Sequence, residues 1–278
     1  MVRVGFNLWY GNRPLYYVMK DCYEVGFDYV ELSIDYPWPY RMDVDEVKRA
    51  VRDFGIEVGI HAPWRDIALA SPVPEIREAS LKVMRRVIEL AGVLRALYVN
   101  VHVSCSEAVE FKEVWDEVLR AGIESVRELR CLCEQHGLDL VVENNDHRPF
   151  SDIQQLVDLV ARVKGVYFCL DVGHAVGAYL GKVPIENHVA VIENFAQALG
   201  DRLLVAHLHD FTVVNGRYRD HLLIGSGVMD LASVCRVLRR VHRLQYVTLE
   251  VFKLGPRGGD VRPRDAVDVL RKLRRHLT

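Results

Sequence analysis

Several common signatures are missing from this chain of 278 residues, and each absence narrows what it can be. No apolar run approaches the roughly 20 residues needed to span a bilayer, so no membrane role is expected. The opening stretch, Met1 to Asn7, lacks the apolar segment of a secretory leader. Six cysteines (Cys22, Cys105, Cys131, Cys133, Cys169 and Cys235) include no CxxC pair. That argues against a structural zinc knuckle and fits reduced, mostly buried thiols in a cytoplasmic protein. Neither sign of charge is in excess: 36 Lys and Arg face 38 Asp and Glu, for a net charge of −2. No overall basic field therefore advertises nucleic acid as a partner. Low-complexity tracts and Pro/Gly/Ser linkers are absent as well, so a single domain over residues 1–278 is expected.

What is present is alternation. Half of the residues are hydrophobic, enough for a large core, and the length is normal for one α/β barrel. Short β-branched runs predict strands at Val2–Leu8, Tyr29–Ile34, Glu57–Ile60, Leu97–Val103, Leu138–Glu143, Val166–Asp171, Leu203–His207 and Tyr246–Val251. Most are nearly continuous apolar stretches, the pattern of parallel strands buried on both faces. Between them, Pro74, Pro184 and Pro263 each open an amphipathic segment. The stretch from Glu107 to His136 is long for one helix, and Gly122 is a candidate break. Eight alternations in about 250 residues predict a single-domain (β/α)₈ barrel, a TIM barrel. An open doubly wound sheet usually carries a Gly-rich first turn, and Leu8-Trp-Tyr-Gly-Asn-Arg13 does not supply one.

The polar residues fall at the strand ends. His61 ends strand three, His102 strand four, Glu143 strand five, Asp171 strand six and His207 strand seven, while Glu250 lies on strand eight. In a barrel these ends form one ring around the C-terminal mouth, where active sites sit. One such residue alone is more often a satisfied structural group than a ligand, but six in register are hard to explain that way. A bare carboxylate at the edge of a dry core is very unfavourable, and no Lys or Arg stands at a strand end to compensate Glu143, Asp171 or Glu250. A cation is the simplest answer. Three carboxylates and an imidazole suit Mn²⁺, Mg²⁺, Co²⁺ or Zn²⁺. Trp9, Trp38 and Trp64 follow strands one to three and offer flat faces to a sugar-sized ligand, with loop packing as the alternative. Trp115 fits a helix core, and Glu31 on strand two faces either the mouth or a polar layer inside the barrel. The segment from Asp210 to Met229, with its Asn215-Gly216 turn, is expected to be a long loop that folds over the mouth and delivers His221.

These motifs (His61-Ala-Pro, Val-Glu143-Asn, Leu-Asp171-Val-Gly-His174, His207-Leu-His-Asp210, His221-Leu-Leu-Ile-Gly-Ser-Gly227 and Leu-Glu250-Val) resemble the xylose isomerase-like barrel superfamily. It includes sugar isomerases, ketose 3-epimerases, inosose dehydratase-like enzymes and endonuclease IV. The resemblance implies a metal set of Glu143, Asp171, His207 and Glu250, with Glu143 and Glu250 also serving as the acid/base pair. It further implies catalytic contact by His174 and substrate contacts by His61, His102 and His221, to which the placement of the aromatics adds Trp9 and Trp64. The expected reaction is a divalent-metal-dependent isomerisation or epimerisation of a sugar or sugar phosphate through a metal-stabilised enediolate. A second ion near His61 and His102, and a homodimer or homotetramer, are further implications. Two departures weigh against a ketose 3-epimerase: His221 stands where those enzymes carry arginine, and residues Asn144 to Pro149 lack their additional glutamate. The alternatives are an inosose dehydratase-like lyase and a zinc-dependent AP endonuclease. The third zinc site of the latter would need an aspartate where Arg219 stands, and Asp220 next door is expected to point elsewhere unless the loop shifts.

Overall fold

The computed structural model describes residues 2–9, 11–35, 41–105, 112–147 and 149–278. Eight parallel strands close into a barrel: β1 (Arg3–Leu8), β2 (Tyr29–Ser33), β3 (Glu57–His61), β4 (Tyr98–His102), β5 (Asp139–Glu143), β6 (Tyr167–Asp171), β7 (Leu203–Leu208) and, closing between β7 and β1, Tyr246–Leu249. Two hairpins lie between and after the last barrel strands, so in chain order they are β8 (Asp210–Val214), β9 (Arg217–Leu222), β11 (Lys253–Gly255) and β12 (Gly258–Asp260), and the closing barrel strand is β10. The main hydrophobic core lies between barrel and helices, and no helix among the described residues is long and apolar enough to cross a membrane.

Successive side chains of a strand alternate between the barrel interior and the helical layer, and this period of two positions the site. Stepping by two gives Gly59 and His61 on β3, Tyr98, Asn100 and His102 on β4, and Val141 and Glu143 on β5. The same step gives Cys169 and Asp171 on β6, Val205 and His207 on β7, and Tyr246 and Thr248 on β10, with Glu250 next in phase. The lower members, Tyr29, Tyr98, Val141, Cys169, Val205 and Tyr246, form a second buried cluster that fills the barrel. Glycine makes room for the large rings. A Cβ at Gly5 would lie 2.4 Å from the Tyr29 ring, and one at Gly59 would lie 2.8 Å from that of Tyr98.

The helices follow their sequence signals with instructive exceptions. Pro74 opens α3 (Pro74–Leu94) as expected, whereas Pro184 and Pro263 each precede or open a short 3₁₀ turn before α7 (His188–Leu199) and α9 (Val267–Leu277) begin. The remaining helices are α1 (Leu15–Val25), α2 (Val44–Phe54), α5 (Ile153–Arg162), α6 (Val172–Ala178) and α8 (Leu231–Leu238). The break expected at Gly122 is not there: α4 (Trp115–Gln135) runs through it. Gly122 answers a packing need instead, since a Cβ there would sit 2.6 Å from the Phe150 ring. Trp115 is half-buried at the start of this helix rather than in the core, and the helix's expected beginning at Glu107 lies outside the described residues.

The largest departure is the segment from Asp210 to Met229. It is not a long loop but chiefly the β8–β9 hairpin, which with β11 and β12 makes a four-stranded sheet in the order β12-β11-β9-β8. Its turn, Asn215-Gly216, has φ of 52° and 73°, the left-handed pair that favours Asn-Gly in a two-residue hairpin.

Candidate metal centre

The upper ring of inward-facing side chains converges. His207 Nδ1 lies 3.0 Å from Glu250 Oε2, 3.4 Å from Glu143 Oε2 and 4.0 Å from Asp171 Oδ2. His61 Nε2 lies 3.4 Å from Glu143 Oε2 and 3.9 Å from Glu250 Oε1, and His102 Nε2 is 3.6 Å from Glu143 Oε2. On the far side His174 Nδ1 approaches Glu143 Oε1 at 3.2 Å and Asp171 Oδ1 at 3.7 Å. The four residues predicted as a metal set are therefore together, flanked by His61, His102 and His174. All are buried except His102 and His174, whose side chains are 11% and 12% exposed toward the mouth. The ion-pair contacts of Glu143, Asp171 and Glu250 are all with imidazoles.

Asparagines brace this ring, although Asn100 Oδ1 is itself buried without a partner. Asn100 donates to Glu143, and Asn144 clamps Asp171 by accepting its backbone N–H at 2.9 Å and donating to its carbonyl at 3.0 Å. Asn145 Oδ1 meets His102 Nδ1 at 2.8 Å. Yet Glu143 Oε1, His207 Nδ1 and Glu250 Oε2 are buried, and their close approaches (Glu143 Oε1 to His174 at 3.2 Å, His207 Nδ1 to Glu250 Oε2 at 3.0 Å) lack the geometry of a hydrogen bond. Such groups cost roughly 1–3 kcal/mol each when left unsatisfied. Two carboxylate oxygens and an imidazole nitrogen, buried in one ring without well-formed hydrogen bonds, are a donor set a divalent ion takes, so these residues fit one.

Protons hold the metal-free ring together. Burial opposes a proton on His61, but Glu143, with Glu250 and Glu31 behind it, outweighs burial and pushes its pKa up to about 9. His174 and His207 are likewise driven upward against burial, by Asp171 and Glu143 and by the surrounding acids. Burial would raise Glu250, but the charge of His207 holds it down to about 2. Asp171 and Glu143 also lie well below the ordinary carboxylate range, their histidine neighbours overcoming desolvation. His102 and His221 go the other way, since burial dominates there and pushes both down.

A second layer reaches the mouth sheet. His209, two residues beyond His207 and so on the same side of the chain, places Nε2 3.0 Å from both oxygens of Asp171. Its Nδ1 accepts the backbone N–H of His221 at 2.9 Å, so Nε2 carries the proton and donates. Gly173 permits this: a Cβ there would lie 1.9 Å from His209 Cε1. His221 has φ of 49°, and its carbonyl accepts from Phe252 N at 2.8 Å. The left-handed residue, with the register shift between Asp210 and Thr212, re-aims this end of β9. As a result Asp220, not Arg219, comes within 4.8 Å of ligand atoms on His174 and His221, while Arg219 points to solvent. Asp220, expected to point elsewhere unless the loop shifts, is thus brought to the site by such a shift. Asp210 anchors the sheet, its carboxylate accepting N–H bonds from Phe211, Gly225, Gly227 and Met229 at 2.8–2.9 Å.

The predicted aromatic contacts divide. Trp9 is half-buried and packs on Phe252 (centroids 5.9 Å apart), which stacks on His221 at 4.7 Å. Trp64 is 45% exposed, with the Arg65 guanidinium 4.0 Å over its ring. Trp38 lies outside the described residues. Sequence reasoning assigned no role to His209, Phe252, Asn100 or Asn144. The period of two points at His209 from His207, at Phe252 from Glu250 and at Asn100 from His102, whereas Asn144 falls out of phase with Glu143 and carries no such signal. Cys169, read as an inert buried thiol, has its sulfur within 4.8 Å of ligand atoms on Glu143 and His207, and burial raises its pKa.

A family model described as "Xylose isomerase-like TIM barrel" matches residues 19–275. Among curated proteins, one named Probable endonuclease 4 from Aquifex aeolicus is 24% identical over 273 residues, 91% of this chain and 92% of its own. The uncharacterized protein MJ1614 of Methanocaldococcus jannaschii is 24% identical over 200 residues, 72% of each. Among solved structures, D-psicose 3-epimerase from Clostridium cellulolyticum H10 superposes with a TM-score of 0.75 at 19% identity, covering 99% of both chains. The IolI protein with a bound zinc atom gives a TM-score of 0.76 at 17% identity, covering 98% of this chain and 96% of its own.

Proposed function

This chain belongs to the xylose isomerase-like TIM barrel family, and from that premise we propose that it is a divalent-metal-dependent isomerase or epimerase of a sugar or sugar phosphate. The observation that carries the reading is the convergence of Glu250, Glu143 and Asp171 on His207 Nδ1, at 3.0, 3.4 and 4.0 Å, deep inside the end of the barrel. Glu143, Asp171, His207 and Glu250 would hold the ion, whose contribution when bound is to polarise a substrate carbonyl and its neighbouring hydroxyl.

The remaining chemistry falls to side chains. Glu143 and Glu250 stand on non-adjacent strands, with His207 between them, and so flank a bound substrate from two sides. Either carboxylate can take the proton from the carbon beside the carbonyl; its return from the opposite face gives an epimer, and delivery to the next carbon gives an isomer. Both remain ionised at neutral pH, as a base must. His174 and His221, 12% and 19% exposed, are placed to bind hydroxyls, and the Trp9–Phe252 pair offers the sugar an apolar face.

A second reading, a phosphodiesterase acting on abasic DNA, is favoured by one specific geometry. Two further ligand groups, His61/His102/Glu143 and His174/Asp220/His221, each bring their donor atoms within 4.8 Å of one another. Metal counting together with a two-substrate assay decides between the readings. One ion per chain with interconversion of ketoses or their phosphates supports the isomerase. Two or three ions with incision of abasic duplex DNA supports the nuclease. A chain that binds no divalent ion after exhaustive loading refutes both.

A further inference from the structure

Below the candidate metal ring lies a carboxylate that the proposed function does not use. Glu31 on β2 is fully buried inside the barrel. Its Oε1 accepts from Asn7 Nδ2 at 2.9 Å, and its Oε2 accepts from the Tyr98 hydroxyl at 2.6 Å. The third partner is His207 Nε2, at 3.1 Å. Asn7 is oriented by being amide donor to this carboxylate, and the Tyr98 hydroxyl also approaches Thr248 Oγ1 at 3.3 Å. A buried carboxylate accepts only, so all three neighbours must present protons to it. His207 therefore carries hydrogen on Nε2. Its other nitrogen, Nδ1, is the atom that points at Glu143 and Glu250.

We propose that Glu31 is a positioning residue: by holding the Nε2 proton of His207 it fixes the tautomer that offers Nδ1 as a lone pair to the metal, and it locks the ring in that orientation. The inference rests on the metal-centre reading above. Carboxylate–imidazole–metal relays set ligand tautomer and basicity generally, and losing the outer carboxylate typically costs about 10–100-fold in metal affinity. The alternative for Glu31 is a structural plug of the barrel, kept only for its bonds to Asn7 and Tyr98.

The substitution Glu31→Gln separates the two. It conserves volume but replaces one acceptor oxygen with an N–H₂ that cannot face three donors. The cheapest relief is for His207 to give up its Nε2 proton and accept from the amide, which moves the proton to Nδ1, where it opposes an ion. Tyr98→Phe serves as the comparison, because it removes a bond of similar burial to the same carboxylate but leaves Glu31 as the acceptor for His207.

Wild type and both variants are titrated with Zn²⁺ after chelator treatment, and long-range ¹H–¹⁵N correlation spectra of the Zn²⁺-loaded proteins report which nitrogen of His207 is protonated. Expected are an Nε2-protonated His207 in wild type and Tyr98→Phe, with near-equal affinities, and an affinity lower by about 10–100-fold in Glu31→Gln. Equal losses in the two variants, or no loss in Glu31→Gln, overturn the positioning role while leaving the metal reading intact. Failure of the wild type to bind Zn²⁺ overturns both. Should Glu31→Gln not fold, an Nδ1-protonated His207 in the Zn²⁺-loaded wild type refutes the proposal by itself.

Discussion

The metal-free protein should lose stability as the solution becomes alkaline, and the amount can be worked from one residue. In the folded chain His61 binds its proton up to about pH 9, because Glu143 and the acids behind it outweigh burial, against 6.5 for an unperturbed histidine. The folded value lies above the unfolded one, so the stabilisation is fully present below pH 6.5 and is lost as the pH rises through 9. At 1.36 kcal/mol per pH unit, that proton is worth on the order of 3 kcal/mol. For a chain of this length 1 kcal/mol corresponds to roughly 2–4 °C in Tm, so chelated protein should melt roughly 6–12 °C lower at pH 9 than at pH 6.5. The depressed value of Glu250 comes from His207 and His221, and since that carboxylate is ionised in both folded and unfolded chains between pH 6.5 and 9 it adds no slope there. Scanning calorimetry of wild type and His61→Asn, each chelated and each loaded with Zn²⁺, isolates the effect. The chelated wild type should fall steeply, while the variant and the loaded protein, in which an ion stands in for the protons, should fall less. A chelated wild type whose Tm is level or rising from pH 6.5 to 9, or a variant that falls equally, refutes the electrostatic account of the ring.

Other outcomes are expected. Glu143→Gln and Glu250→Gln should each weaken divalent-ion binding and abolish turnover of the true substrate, measured by ion titration and by sugar interconversion, because a ligand and a base are lost together. Gly173→Ala forces a Cβ into His209, with a cost of about 1–3 kcal/mol in denaturant unfolding typical of overpacking. Asp210→Ala leaves the N–H groups of Phe211, Gly225, Gly227 and Met229 without their acceptor. The mouth sheet should then exchange its amide hydrogens faster than the barrel strands do. Of the six cysteines, only Cys131 is exposed, so a thiol reagent should label one group quickly in native protein, and Cys131→Ser should remove that phase.

The barrel and its ring of acids and imidazoles were legible because both follow from the period of two. Apolar runs marked the strands, and acids and imidazoles at their ends marked the inward-facing positions from His61 to Glu250. The mouth sheet was not legible. Arg217 to Leu222 reads as a charged loop because its strand faces solvent on one side, and the pairing of β9 with β11 joins residues far apart in sequence. Asp220 could not be placed for a related reason: a single left-handed residue at His221, with no glycine to announce it, turns the chain by one position. Gly122 misled in the opposite sense, since it yields to the Phe150 ring and not to a helix end.

The mouth sheet is continuous with the ring of acids and imidazoles beneath it. His207 runs within three residues into β8, and Glu250 within three into β11. So short a connection means that lengthening or tilting the sheet at its base should drag the side chains at the bottom of the funnel. Natural or engineered changes of substrate preference should then collect at the two free tips, Asn215-Gly216 and the turn between Gly255 and Gly258. There, insertions alter reach while the chemistry below stays where it is.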